Sequence, residues 1–273
     1  MTVRRLIERA QELGPERIET SGGTVVALSW CHPDRAPNQD ALLVLDLEER
    51  GMVLAVADGM GGHSEGEVAA ELALACLADC VEAAAAEERG LRAGILDGFD
   101  RAQREVSALQ TDAGTTLVAA SVHAGRVRTV HAGDSMALLC GGRGKVKHRT
   151  LDHSPTGYAL EAGLLAEEDA LTHADRHVIL SAIGHPDLRT DLGPRLALAA
   201  RDTLLLATDG LTDNLPTEEV VALARRGAPE QAALALAQRA RATMRSEPGG
   251  IGKRDDLTLL LLRPGAGGAA GQA

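Results

Sequence analysis

The chain has almost no aromatic side chains: Trp30, Phe99 and Tyr158 are the only ones in 273 residues. Its core must therefore be packed from Leu, Val and Ala, and aromatic platforms for stacking single-stranded nucleic acid are excluded. Excess positive charge is missing as well. Lys and Arg number 28 against 39 Asp and Glu, a net charge of -11, which repels a phosphate backbone and removes nucleic acid, and with it a two-metal nuclease, from the expected partners. No uncharged run approaches the roughly 20 residues of a membrane-spanning helix. The first ten residues are charged throughout and lack the apolar stretch of a secretory signal. The protein is accordingly expected to be soluble and cytoplasmic, with no membrane partner. Cysteines are few and unpatterned: Cys31, Cys76, Cys80 and Cys140 follow neither disulfide nor zinc-ribbon spacing. Cys76 and Cys80, four apart on a predicted helix, could share a metal. No further ligand lies near them in sequence, and buried helix cysteines are the favoured reading.

What is present is a hydrophobic share of 45%, enough to build one domain of this length. Amphipathic spacing predicts a short helix over 3–13, followed by strands near 24–30, 41–46 and 52–57. Two long helical patterns cover 65–89 and 91–109, broken at Gly90. Strands near 115–123, 126–132, 135–140 and 145–149 are joined by glycine turns, the spacing of antiparallel hairpins rather than of crossover units. An irregular, polar insert spans 152–194, with helices near 155–162 and 167–171, the kind of segment that often serves as a lid. A strand at 203–207, helices at 216–225 and 229–244 and a strand at 257–262 complete the pattern. Residues 1–21 are expected to form a helical extension, 22–263 the domain, and the glycine-rich 264–273 a disordered tail. This order of elements predicts an α+β fold with long helices covering mostly antiparallel sheets.

Two segments repeat one motif. Leu54-Ala-Val-Ala-Asp58-Gly59 and Leu205-Leu-Ala-Thr-Asp209-Gly210 each run an apolar strand into an Asp-Gly turn, which puts a carboxylate at the end of a buried strand, where an unpaired charge is costly. Asp40, Asp134 and Asp255 also sit at the edges of apolar runs. Any one of these could be a simple turn former. Five together point to a cluster that repels itself unless dications neutralise it, and oxygen ligands without His or Cys favour Mg²⁺ or Mn²⁺ over zinc. Two such ions about 4 Å apart can activate a bridging water and clamp a phosphoryl group.

Seven ordered blocks carry a resemblance over roughly residues 25–262. They are Arg35-Ala-Pro-Asn-Gln-Asp40, Val56-Ala-Asp-Gly-Met-Gly-Gly-His63, Ala113-Gly-Thr-Thr-Leu117, Ala132-Gly-Asp-Ser135, Leu151-Asp-His-Ser154, Ala207-Thr-Asp-Gly-Leu-Thr-Asp213 and Asp255-Asp-Leu-Thr258. In this order they resemble the bacterial branch of the type 2C metal-dependent protein serine/threonine phosphatases. The resemblance implies a four-layer α-β-β-α sandwich of two antiparallel sheets flanked by helix pairs, with two core Mn²⁺ or Mg²⁺ ions and a third position. It assigns Asp58 as the ligand joining both metals, Gly59 as a ligand through its carbonyl, Asp209 and Asp255 as further direct ligands, and Asp40 as the acid holding metal-bound water. Asp134, with Asp209 and Asp213, matches the third position. Arg35 matches the phosphate-binding arginine, whose planar fork can grip two phosphate oxygens. The implied reaction is direct attack of a metal-bridging water on phosphoserine or phosphothreonine in proteins, without a phosphoenzyme. Phosphorylated proteins, including a Ser/Thr kinase or its targets, are the implied partners of a monomeric enzyme. The alternative is a catalytically silent phosphoprotein-binding module on the same fold, which the intact aspartates disfavour.

The chain departs from the family pattern at several positions. Met60 stands where eukaryotic members carry a histidine acid, a change shared by bacterial relatives. His63 is a secondary candidate for that acid, with a structural role at the helix start favoured. Gln39 replaces a common Glu and can still orient metal-bound water. Met136 replaces an Arg, which is expected to loosen a local ion-pair network and weaken the third metal. Asp256 replaces an Asn and adds charge beside the site. Ser181 replaces an Arg in the flap, the part of the family that touches protein substrates, and His173, His177 and His185 are expected to be ordinary flap residues.

Overall fold

The structure is a computed structural model in which residues 3–7, 12–34, 37–61, 65–245 and 252–265 are described. The chain begins with strands β1 (Val3–Ile7), β2 (Glu12–Thr20), β3 (Gly23–Trp30), β4 (Asp40–Asp46) and β5 (Met52–Met60), followed by helices α1 (Glu65–Ala86) and α2 (Leu91–Ser107). Strands β6 (Gly114–Thr115), β7 (Leu117–His123), β8 (Arg126–Ala132), β9 (Met136–Cys140) and β10 (Val146–Arg149) come next. The insert holds α3 (Pro155–Glu161), α4 (Glu167–Ala170) and β11 (Asp191–Leu192), and leads to β12 (Leu196–Ala197) and β13 (Thr203–Ala207). Helices α5 (Asp209–Thr212), α6 (Thr217–Ala224) and α7 (Pro229–Met244) precede β14 (Leu257–Pro264).

Two antiparallel sheets result. One runs β1-β4-β5-β7-β8-β11, with β6 on β5 and β12 on β8; the other runs β10-β9-β13-β14-β3-β2. Because strand side chains alternate, a sheet covered on both faces reads as a continuous apolar run, and this is the pattern of β4, β5, β13 and β14. Leu42, Val44, Leu54 and Val56 meet Leu204, Leu206, Leu260 and Leu262 in the central layer between the sheets. The alternate residues Leu43, Leu45, Val53 and Ala55 face outward and pack with Ala73, Leu77, Ile95 and Phe99 of α1 and α2. On the far side Leu205, Leu259 and Leu261 cluster with Val221, Leu236 and Ala240 of α6 and α7. Three apolar layers separate four structural ones, which is the α-β-β-α sandwich.

The N-terminal helix expected over 3–13 is not formed. Residues Val3–Ile7 pair with β4, and β2 pairs with β3 as an edge strand whose register shifts between Leu13 and Glu16. Helical spacing is a weak preference, and backbone pairing along the open edges of β3 and β4 overrides it, with Gly14 and Pro15 set at the irregularity. The paired Asp-Gly turns are also corrected: Asp58 and Gly59 lie inside β5, and Asp209 opens a single helical turn. Pro264 closes β14, and the N–H of Gly265 donates to the Gly22 carbonyl; the rest of the expected tail lies outside the described residues. Among the described residues no helix is long and apolar enough to cross a membrane. All four cysteines are free, with Cys76 buried and Cys80 half-buried on α1.

Candidate active site

Strand register alone sets two carboxylates side by side: Asp40 at the start of β4 and Asp58 near the end of β5 are paired Cα partners. Asp58 is held from its other flank, its N–H donating to Thr116 Oγ1 (3.0 Å) and its carbonyl accepting from Thr116 N (2.9 Å) and Thr115 Oγ1 (2.9 Å). Thr116 Oγ1 is 2.7 Å from Ser135 Oγ, which ties the turn carrying Asp134 to β5. The second sheet supplies Asp209 directly after β13, Asp213 one turn later and Asp255 just before β14. Thr208 Oγ1 joins the two sheets by donating to Asp40 Oδ2 at 2.7 Å. Close backbone contacts allow this convergence. A Cβ on Gly59 would lie 2.0 Å from the Gly66 carbonyl oxygen, and one on Gly210 would lie 1.8 Å from that of Asp256, so only glycine fits at either point.

The electrostatics are those of a carboxylate cluster that the chain itself neutralises only in part. Asp40, Asp134 and Asp209 are each more than nine-tenths buried, and Oδ1 of each has no hydrogen-bond partner. Burial raises the pKa of Asp58 well above the carboxylate range, and repulsion from Asp209, Asp40, Asp255 and Asp134 raises it further. Burial does the same to Asp40, reinforced by Asp256, and to Asp134, reinforced by Asp209 and Asp213. Asp213 is pushed up to about 7 and Asp255 to about 6, by burial first and then by Asp209. Buried, mutually repelling oxygens without donors are surroundings that a hard dication neutralises, and the donor set contains no nitrogen or sulfur. The residues present therefore fit Mg²⁺ or Mn²⁺.

Sequence reasoning missed Lys253. Its Nζ donates to Asp209 Oδ2 and lies 2.8 Å from Asp213 Oδ2 and 3.4 Å from Asp255 Oδ2. Burial lowers its pKa, but attraction to the three carboxylates outweighs burial and the net shift is upward. Asn214 holds the Lys253 backbone in place, donating to its carbonyl at 2.9 Å and accepting from its N–H at 3.0 Å. The available signal was a lysine two residues before Asp255. Also missed was the role of Asn38, which accepts from Asp40 N at 3.0 Å and donates to Ser29 Oγ at 2.9 Å.

The departures have specific settings. Asp256 accepts from His32 N (2.5 Å) and Gln39 N (2.9 Å), and so holds the chain at two described residues that precede and follow Arg35 in sequence. Gln39 is buried, and its carbonyl accepts from Gly59 N at 3.1 Å. Met136 belongs to the apolar cluster with Leu211 and Leu215, so its side chain serves packing beneath the site. Ser181 Oγ accepts from Arg189 N (2.8 Å) and donates to Arg189 O (3.0 Å), closing the end of the insert. Arg35 and His63 lie outside the described residues. In the insert, Nδ1 of His173 and of His185 accepts the N–H two residues on, a local turn contact.

The histidines brought together by the fold are His131 and His153, with ring centroids 4.6 Å apart and Asp191 3.5 Å from His153 Nε2. His131 Nε2 donates to the Leu151 carbonyl, and His153 Nδ1 accepts from Gly133 N. His153 thus carries its proton on Nε2, toward Asp191, and not a lone pair for a metal. The trio fastens the insert to β8. Beside it, a cleft of about 440 Å³ runs along Arg149, Asp152, Leu160 and Glu167, and a smaller one continues to Arg176 and Asp213.

The family model for protein phosphatase 2C matches residues 31–244. The chain belongs to this family. The phosphatase is 29% identical over 245 residues to the serine/threonine phosphatase Stp of Listeria monocytogenes (serovar 1/2a), covering 84% of this chain and 90% of that one. Its fold is similar to that of Stp1 from Staphylococcus aureus, with a TM-score of 0.71 and 28% identity over 91% of this chain and 98% of the other. A third relative is the catalytic domain of the serine/threonine protein phosphatase PstP, solved with two manganese ions (TM-score 0.66, 26% identity, 87% and 96% coverage). By homology the protein is a serine/threonine protein phosphatase of a metal-using family.

Proposed function

We propose that this phosphatase hydrolyses phosphoserine and phosphothreonine in proteins in one metal-dependent step, with water as the nucleophile and no phosphoenzyme. The observation that carries the reading is the set of orphaned, buried Oδ1 atoms of Asp40, Asp134 and Asp209 converging from three separate segments. Asp58, Asp209 and Asp255 with the Gly59 carbonyl would hold two Mn²⁺ or Mg²⁺ ions, Asp40 would orient water, and Asp134, Asp209 and Asp213 would form a third position. When bound, such ions supply Lewis acidity that generates the nucleophile near neutral pH and offsets phosphoryl charge. The chain's own part is preorganisation: Thr115 and Thr116 fix the Asp58 backbone, Thr208 orients Asp40, and Asp256 anchors the backbone of His32 and Gln39, between which in sequence lies Arg35, the residue that would grip the phosphate. The cleft along Arg149 and Glu167 would receive the residues flanking the phosphoamino acid. Substrates of this kind include a Ser/Thr kinase or its targets, acted on by a monomer.

The test is release of phosphate from p-nitrophenyl phosphate and from a phosphothreonine peptide, with Mn²⁺ and with EDTA. Turnover should require the metal, fall at least a hundredfold in Asp58→Asn and leave no acid-stable phosphoprotein. Metal-independent turnover, or none in either assay, overturns the proposal.

A further inference from the structure

The end of the first sheet opposite the aspartates carries a second charged feature, of the other sign. Asp58 pairs with the segment that begins β7, whereas Ser121 and His123 end that strand, roughly 20 Å away at about 3.3 Å per residue. There a cavity of about 280 Å³ is lined by Arg89, Arg92, Arg126, Arg128, Arg195 and His123. Arg89 is already engaged, bonded to Glu87 (2.7 Å) and Asp97 (2.6 Å). Among the described residues the other four guanidinium groups make no ion pair or side-chain hydrogen bond, and Nε of Arg128 is buried without a partner. In a chain with 39 acidic residues and a net charge of -11, four adjacent arginines left unpaired around one concavity are a repelling cluster that an anion would relieve.

The backbone adds to this field. Gly90, which lines the same cavity, is the N-cap of the 17-residue α2; it offers no side-chain cap, and the first turn holds no acidic residue. The partial positive charge of the helix end is thus met neither by a side-chain cap nor by an acidic residue of the first turn. A Cβ at Gly90 would meet nothing within 4 Å, so the approach is open.

We propose that this cavity binds a diphosphate group. Several planar forks at one site match a ligand with two adjacent phosphoryl groups better than one with a single group. No Trp, Tyr or Phe lines the cavity, so a nucleobase would find only the His123 ring or a guanidinium plane to stack on, and recognition rests on the diphosphate, free or at the end of a nucleotide.

Calorimetric titration of the metal-free protein in EDTA with inorganic pyrophosphate, ADP, AMP and inorganic phosphate tests this. Pyrophosphate should bind at one site per chain, weaken as salt is raised, and lose at least tenfold in affinity in Arg126→Gln/Arg128→Gln. The exposed pair Arg92→Gln/Arg195→Gln should weaken it similarly, which guards against a folding defect in the first variant. Asp58→Asn should bind as tightly as wild type, separating this site from the aspartates. ADP binding as well as pyrophosphate, with AMP at least tenfold weaker, marks a nucleotide source; ADP much weaker than pyrophosphate marks the free ion. The proposal fails if pyrophosphate does not bind at millimolar concentration, if both arginine pairs can be replaced without effect, or if phosphate alone binds equally well.

Discussion

Lys253→Met separates the chain's own counter-ion from the cations it competes with. In the metal-free protein the ammonium serves three carboxylates, at 2.8 Å from Asp213, 3.4 Å from Asp255 and in direct contact with Asp209. At an effective dielectric of about 20 each of the longer contacts is worth about 5–6 kcal/mol of gross attraction, much of it offset by the cost of burying the charges. Removing one partner of a buried ion pair costs about 3–5 kcal/mol net, and the Lys253 side chain is 22% exposed, so the low end of about 3 kcal/mol applies. In a domain of this length that corresponds to a melting temperature roughly 6–12 °C lower. The assay is a thermal melt in EDTA near pH 8, above the folded values of about 7 for Asp213 and about 6 for Asp255, where both carboxyls are ionised. Saturating Mn²⁺ should erase the difference, because the cations take over the neutralisation. By linkage, a loss of about 3 kcal/mol confined to the metal-free state tightens Mn²⁺ binding about a hundredfold. Lys253→Arg keeps the charge and should keep most of the metal-free stability. If Lys253→Met melts with wild type in EDTA and binds Mn²⁺ no more tightly, the ammonium is not the counter-ion of the cluster and the reasoning is refuted.

Two further outcomes follow from buried groups. Burial lowers His131 to about 4, whereas in the unfolded chain it titrates near 6.5. Between those values only the unfolded state takes up the proton, so His131 subtracts stability as pH falls, at about 1.4 kcal/mol per unit and about 3 kcal/mol by pH 4. Asp40, Asp58, Asp134, Asp213 and Asp255, whose folded pKa values are raised, act with opposite sign over the same range. Urea titrations of wild type against His131→Gln cancel them, and wild type should lose about 3 kcal/mol relative to the variant between about pH 7 and pH 4; a constant difference would contradict the burial argument. Gly210→Ala would ordinarily strengthen a helix by up to about 1 kcal/mol, but here its Cβ would meet the Asp256 carbonyl at 1.8 Å. Denaturant unfolding should show a loss of about 1–3 kcal/mol together with weaker Mn²⁺ binding, since Asp209 and Asp256 are displaced together.

Much of the architecture was legible because its signals are local and repeated. Continuous apolar runs at β4, β5, β13 and β14 require strands buried on both faces, and the long periodic segments at α1 and α2 require helices that cover them. The N-terminus was misread for the complementary reason: whether residues 3–7 and 12–20 form strands depends on open sheet edges far away in sequence, which local spacing does not record. The Asp-Gly dipeptides at 58 and 209 look alike in sequence. One is strand because Thr115 of β6 pairs with Gly59; the other opens a helical turn, the contact with β14 ending at Thr208, whose N–H donates to the Thr258 carbonyl.

By itself the sequence singled out the carboxylates on which the proposed function rests. Carboxylates placed at the ends of apolar runs are too costly to bury for nothing, so Asp40, Asp58, Asp134, Asp209 and Asp255 could be named from composition and order alone. Only the tertiary structure decided what surrounds them: that Lys253 enters the cluster, that Asp256 accepts from the backbone of His32 and Gln39, that Met136 faces packing, and that, among the described residues, four arginines at the opposite end of the sheet make no ion pair. These are properties of distance between residues remote along the chain. Coulomb and hydrogen-bond energies depend on that distance, and it exists only once the two sheets have closed on each other.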